Sequence, residues 1–129
     1  MFLKWLIFAF SSFVGLFAFQ WIFYTGFEWS KTRSAFGYVF PNLFTFFLFW
    51  SFMIAVVLAP LNAASWSIAS LAFNEWFHKA WILHLTLLAT SGISGALVFW
   101  MKFGEIPSRG VLIGLSLYAA GAVISAFWR

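Results

Sequence analysis

No cysteine and no aspartate occur among the 129 residues, proline appears three times, and charged residues make up only 8% of the chain. Each shortage excludes something. Without cysteine there is no disulfide, thiolate metal site or cysteine nucleophile. Soluble domains carry about 25% charged residues, and a fold with a third of that has too little polar surface to face water. What is abundant is hydrocarbon: 64% of the residues are hydrophobic and 25% aromatic. The bilayer is the solvent in which such a composition is stable. The net charge of +4 does not point to nucleic acid, because the seven basic residues lie scattered at segment ends. A nucleic-acid footprint is a clustered patch, whereas scattered basic residues suit headgroup-level anchors.

The charges divide the chain cleanly. Residues 5–27, 80–101 and 110–128 are uncharged runs, each close to the roughly 20 residues a helix needs to cross about 30 Å of hydrocarbon. A fourth uncharged run, 34–74, is too long for one span. From about Phe36 to Ala59 it is dense in Phe, Leu, Ile and Val, with Pro41 in its first turns and Pro60 at its end. Beyond that, Asn62, Ser65, Ser67, Ser70 and Asn74 dilute the apolar character. On a helical wheel Ser67, Ser70, Asn74, Glu75 and His78 fall on one side, and Trp66, Ala69, Phe73, Trp76 and Phe77 on the other. That pattern predicts an interfacial helix, with a fifth, short span as the rival. Lys4 ahead of an apolar run resembles a signal peptide, but the run exceeds the usual h-region and no small-residue cleavage site ends it. Trp21, Phe23, Tyr24 and Trp29 read instead as an aromatic belt.

The expected fold is therefore an all-α, polytopic transmembrane helical bundle in a single domain, 1–129. It has four spans at about 4–28, 36–59, 80–101 and 110–128, and an interfacial helix at about 62–78. One side would carry Lys4, Lys79 and Arg129, the other Lys31, Arg33, Lys102 and Arg109. With the two sides so nearly balanced, the positive-inside rule does not choose an orientation. Either a partner or the first loop sets the topology, or the chain inserts both ways and forms an antiparallel dimer.

The third and fourth spans are rich in small residues. Gly92 and Gly95 sit among Ala89, Ser91, Ser94 and Ala96. Gly110, Gly114 and Gly121 recur along the fourth span, the first two as a GxxxG pair. Small residues let helix backbones approach closely in lipid. These glycines are the candidate packing positions, within the chain or in a homo-oligomer. Polar groups at depth are Ser11, Ser12, Gln20, Thr45, Ser51, Thr86, Thr90, Ser91, Ser94, Ser116 and Ser125. For each hydroxyl the plain expectation is a bond back to its own helix; as a set they are able to line a path. His84 is the histidine placed for membrane depth, and hydrogen bonding to a neighbouring Ser or carbonyl is its plain role. A haem shared between two copies is the remoter one, so no cofactor is expected. No nucleophile–base arrangement, carboxylate pair or phosphate-binding loop appears, and enzyme activity is not expected.

The stretch Trp100–Met101–Lys102–Phe103–Gly104–Glu105–Ile106–Pro107, followed by Ile113–Gly114 and Ala120–Gly121, resembles the last two helices of drug/metabolite transporters. These include the small four-helix multidrug resistance family. The resemblance covers about residues 85–129. It implies a small transporter in the bacterial inner membrane, working as a dimer or with a partner protein. Multidrug exporters of that family carry a carboxylate in the middle of the first helix. Here Gln20 lies near that region and cannot titrate, while Glu28 lies near an end beside Lys31 and Arg33. The family's third-helix tryptophan matches Leu87. These departures argue against proton-driven export of lipophilic cations. Related proteins of the superfamily move lipid-linked sugars, which need a polar route for the head and an apolar flank for the tail. The substrate-path candidates are Gln20, His84, Thr90, Ser91 and Ser94. The rival class is a non-transporting subunit or immunity-type protein that binds another membrane protein, which the rings at Phe44, Phe46, Phe47, Phe49, Trp50 and Phe52 suit.

Overall fold

A computed structural model describes residues 1–128; Arg129, one of the basic residues weighed for topology, lies outside the described residues. Helix α1 (Phe2–Ser30) runs 29 residues without a proline, about 43 Å at 1.5 Å per residue. A tight ribbon follows. Strand β1 (Ser34–Ala35) pairs antiparallel with β2 (Tyr38–Val39). The turn residues Phe36 and Gly37 both take positive φ, 51° and 81°, as a two-residue type I′ turn requires.

The ribbon consumes the start of the expected second span. Helix α2 (Leu43–Val57) opens instead at Asn42, whose side-chain oxygen accepts the Thr45 N–H at 2.9 Å. Pro41 therefore precedes the helix and does not sit in its first turns. A capping asparagine satisfies orphan N–H groups that the Phe-rich residues before it cannot. At 15 residues, about 22 Å long, α2 is shorter than the hydrocarbon core of about 30 Å.

Pro60 ends that helix, as expected, and also starts the next. It lies in the first turn of α3 (Ala59–Leu71), where its missing N–H does no harm. The two helices meet at 58°. Ala72–Phe77 then winds as a π-helix, closed by His78 at φ 56°. The extra residue per turn rotates the inward face. Ala72 and Phe77 are buried, Ile68, Ala69 and Trp76 half-buried, and Trp66 and Phe73 exposed. Trp66 and Phe73, which the wheel sets on the apolar side, do not pack inside the chain.

Helix α4 (Ala80–Phe103) ends at Gly104, which adopts φ 68°, the left-handed cap that glycine takes without strain. Helix α5 (Arg109–Phe127) starts at Ser108, whose hydroxyl accepts the Val111 N–H at 3.3 Å. The fold is all-α apart from the short ribbon. Three helices, α1, α4 and α5, are each long and apolar enough to cross a membrane. Residues 43–77 reach that length only as a bent pair.

Helices α1 and α4 run parallel. Near their starts the Trp5 indole donates to Thr86 Oγ1 at 3.0 Å, and near their ends Lys102 meets Glu28 at 3.4 Å. α5 returns along α4, bringing Phe127 to 5.9 Å from Phe2 and 5.7 Å from Trp5, ring to ring. Residues 43–77 descend along α1 for most of its length. The Trp50 indole donates to the Ile22 carbonyl at 3.1 Å, Ser65 approaches Gly15, and Phe77 lies 6.3 Å from Phe8. Gly26 is required where it stands, because a Cβ there would collide with the Trp50 ring. Buried cores form at both ends: Ala35, Phe46 and Trp50 at one, Phe8, Ala72, Phe77 and Ile82 at the other.

Candidate functional site

One polar constellation joins two spans in their middle. Gln20 of α1 reaches α4, where its Nε2 donates to the Ser91 carbonyl at 3.3 Å and to Ser91 Oγ at 3.4 Å. Its Oε1 accepts the Ser94 hydroxyl at 3.1 Å. Gly95 lies beside this amide, and a Cβ there would stand 3.4 Å from Gln20 Oε1. A short residue at 95 thus lets the amide lie against the α4 backbone. Ser94 is fully buried, and Ser91 and Gln20 are half-buried.

The outer side of this cluster opens into a cleft of about 540 Å³ between α1, α4 and the start of α5. Gln20, Tyr24 and Ser91 lie on its inner wall; Glu105 and Ser108, both exposed, lie on the wall made by the α4–α5 loop. Against it lies an apolar groove of about 510 Å³ between α4 and α5, walled by Ile93, Leu97, Trp100 and Leu112 among others. Ala96, Ile106, Pro107 and Leu115 line both. The two spaces adjoin across these four wall residues, one edged with amide, hydroxyl and carboxylate groups and the other chiefly with hydrocarbon.

Of the substrate-path candidates, the structure brings Gln20, Ser91 and Ser94 together. Thr90 is buried one step away, its hydroxyl donating to Thr86 O at 2.8 Å and Leu87 O at 3.1 Å. His84 is apart from them. It is exposed on the outer face of α4, its ring 5.9 Å from Trp81. The expected back-bonding is present at Ser11, Thr90, Ser94, Ser116 and Ser125.

The candidate packing glycines divide. Gly92 faces α5, where a Cβ would stand 2.5 Å from Leu115 Cδ2, and Gly95 faces Gln20. At Gly114 and Gly121 a Cβ would meet nothing within 4 Å, and at Gly110 only Ser108 Oγ at 3.9 Å. These three make no close helix contact among the described residues. Glu28 also differs from expectation. Its contact is Lys102 from α4, not the neighbouring Lys31 or Arg33, which are exposed. Lys102 is held on two sides, by Glu28 and by the Trp21 ring 4.5 Å away. Its side chain is 7% exposed, against 35% for Glu28.

Tyr24, Glu105, Pro107 and Ser108 line the cleft without being among the path candidates. Tyr24 reads from the sequence as aromatic belt, and Glu105 and Pro107 only as part of the resemblance. Gly15 and Gly26 on α1 are not singled out by the sequence. The glycines in the otherwise bulky α1 were the available signal. No known family, characterised protein or solved structure gives a significant match to this chain.

Proposed function

We propose that this is a small integral membrane protein, of the bacterial inner membrane, that binds and moves an amphiphilic solute. The head sits in the α1–α4–α5 cleft and the tail in the adjoining α4–α5 groove. The observation that carries this reading is the adjacency of a polar-edged cleft and an apolar groove, which share four wall residues. A polar head gains hydrogen-bonding partners at Gln20, Ser91 and Ser108, and a hydrocarbon tail gains contact along Ile93, Leu97 and Leu112. Neither space alone serves both parts of an amphiphile. Gln20 in place of a carboxylate favours an uncharged route without proton exchange at that position. Such a protein fits the drug/metabolite transporter type that the α4–α5 sequence resembles. In this reading residues 43–77 cross the membrane once as a broken helix, giving four crossings, and α3 lies at depth against Gly15 and Phe8. The test is equilibrium binding of a fluorescent single-chain amphiphile to the reconstituted protein. Leu115→Trp, which fills the shared wall, should abolish it, and binding unaffected by that change would sink the assignment.

A second reading has its own observation. Gly110, Gly114 and Gly121 present an unfilled face, and Phe44 and Phe52 point outward at 73% and 69% exposure. A homo-oligomer or another membrane protein seated there would make the chain an assembly subunit.

A further inference from the structure

The break between α2 and α3 faces a second, separate pocket. It measures about 340 Å³ and shares no lining residue with the amphiphile cleft. α1 contributes Ser11, Ser12 and Gly15, and α3 contributes Asn62 and Ser65; the rest of the wall, Leu16, Phe19, Leu61 and Leu87 among it, is apolar. Gly15 stands halfway along α1, and a Cβ there would come within 3.1 Å of Ser65 Oγ. The pocket is therefore far from either end of α1, at the point where Pro60 interrupts the return path.

The polar groups here are not self-satisfied. Ser11 bonds back to Phe8 O, as Ser67 does to Ala63 O and Asn74 to Ser70 O. Ser12, Asn62 and Ser65 make no side-chain hydrogen bond to another described residue, although all three line the pocket. Asn62 and Ser65 are exposed on α3 and Ser12 is half-buried. An amide and two hydroxyls left to face hydrocarbon at this depth are costly, and a broken helix is tolerated at membrane depth where it lines a cavity that holds water. No acidic or basic side chain lines it. An ion there would lose its hydration without a countercharge, whereas a neutral donor–acceptor loses nothing it cannot regain. The volume is enough for about ten waters at about 30 Å³ each.

We propose that this pocket is a water-filled site at mid-membrane that admits small uncharged solutes bearing hydroxyl or amide groups and rejects ions. It stands whether or not the other cleft takes an amphiphile.

The cysteine-free chain makes the test direct. Ser65→Cys and Ser12→Cys, on opposite walls, are each reconstituted as the full chain in lipid vesicles. They are treated with a hydroxyethyl methanethiosulfonate, neutral and itself hydroxyl-bearing, and with its trimethylammonium counterpart. Val56→Cys, on the exposed face of α2 before the break, is the control. Thiolate is the reacting species and hydrocarbon suppresses it, so at least one pocket variant should react with the neutral reagent about tenfold faster than the control. The cationic reagent should gain nothing over the control. If neither pocket variant exceeds the control with the neutral reagent, the pocket is dry and the proposal is wrong. Cationic labelling as fast as neutral labelling would overturn the exclusion of ions.

Discussion

Gln20 and Ser94 face each other across the α1–α4 contact, the serine hydroxyl donating to the glutamine oxygen at 3.1 Å while the same amide's nitrogen reaches Ser91. Hydrogen bonds between membrane helices average about 0.6 kcal/mol and reach about 1.7. Gln20→Leu removes all of these contacts and should lower stability by about 1–2 kcal/mol. Ser94→Ala should cost about half of that or less. Unfolding by denaturing detergent in mixed micelles measures both. Equal stability of Gln20→Leu and the parent would show that the amide contributes nothing to helix association.

Gly26 and Gly121 make a matched pair of opposite expectation. A side chain at 26 enters the space of the Trp50 indole, and overpacking of this kind costs about 1–3 kcal/mol. Gly26→Val should therefore lower the melting temperature in detergent. At Gly121 a Cβ would meet no described residue within 4 Å, and Gly121→Leu should leave the melting temperature unchanged. If chromatography shows that Gly121→Leu also changes the particle size, the open face belongs to a partner copy.

Lys102 contacts both Glu28 and the Trp21 ring, whereas Glu28 has Lys102 alone as its ion-pair partner among the described residues. Lys102→Ala should thus destabilise more than Glu28→Gln, by about 1 kcal/mol, since a cation over an aromatic face contributes about 0.5–1 kcal/mol or more. Thermal melts of the two variants decide it. Glu28→Gln should also leave amphiphile binding intact, and cells expressing the parent should gain no resistance to quaternary ammonium compounds. A resistance phenotype lost in Glu28→Gln would make Glu28 a substrate ligand.

Topology is checked by single cysteines at Thr32, Lys79 and Ser108. A broken span over residues 43–77 puts 79 on the membrane side opposite 32 and 108. An impermeant reagent labelling all three from one side would rule out the four crossings.

Much of the architecture is readable from the sequence because long uncharged runs have few other uses. α1, α4 and α5 match the runs at 5–27, 80–101 and 110–128 to within a few residues. The region from Phe36 to His78 is less readable. Uncharged, mostly apolar sequence there runs from Phe36 to Ala59 and only thins beyond it, and the short-range signals of Asn42 as a cap and Phe36–Gly37 as a turn are submerged in it. The π-helix at Ala72–Phe77 breaks the 100° rule on which a wheel depends. At the site, Gln20, Ser91 and Ser94 are legible as polar groups at depth, but their meeting is not, because it depends on α1 and α4 running parallel. His84 satisfies the same depth criterion and faces outward. Depth is encoded in the distance from charged ends; azimuth is set by partners elsewhere in the chain.

The central claim is that a hydrocarbon tail lies between α4 and α5 and not merely anywhere on the apolar surface. It is tested most directly by photolabelling the reconstituted protein with a phospholipid carrying a diazirine in its acyl chain, and mapping the adducts by mass spectrometry. The account predicts adducts concentrated on Ile93, Leu97, Trp100 and Leu112, and lost from them in Leu115→Trp. Phe10 and Leu48, exposed on other helices at 70% and 56%, set the background. Adducts spread evenly over Phe10, Leu48 and the groove would contradict it.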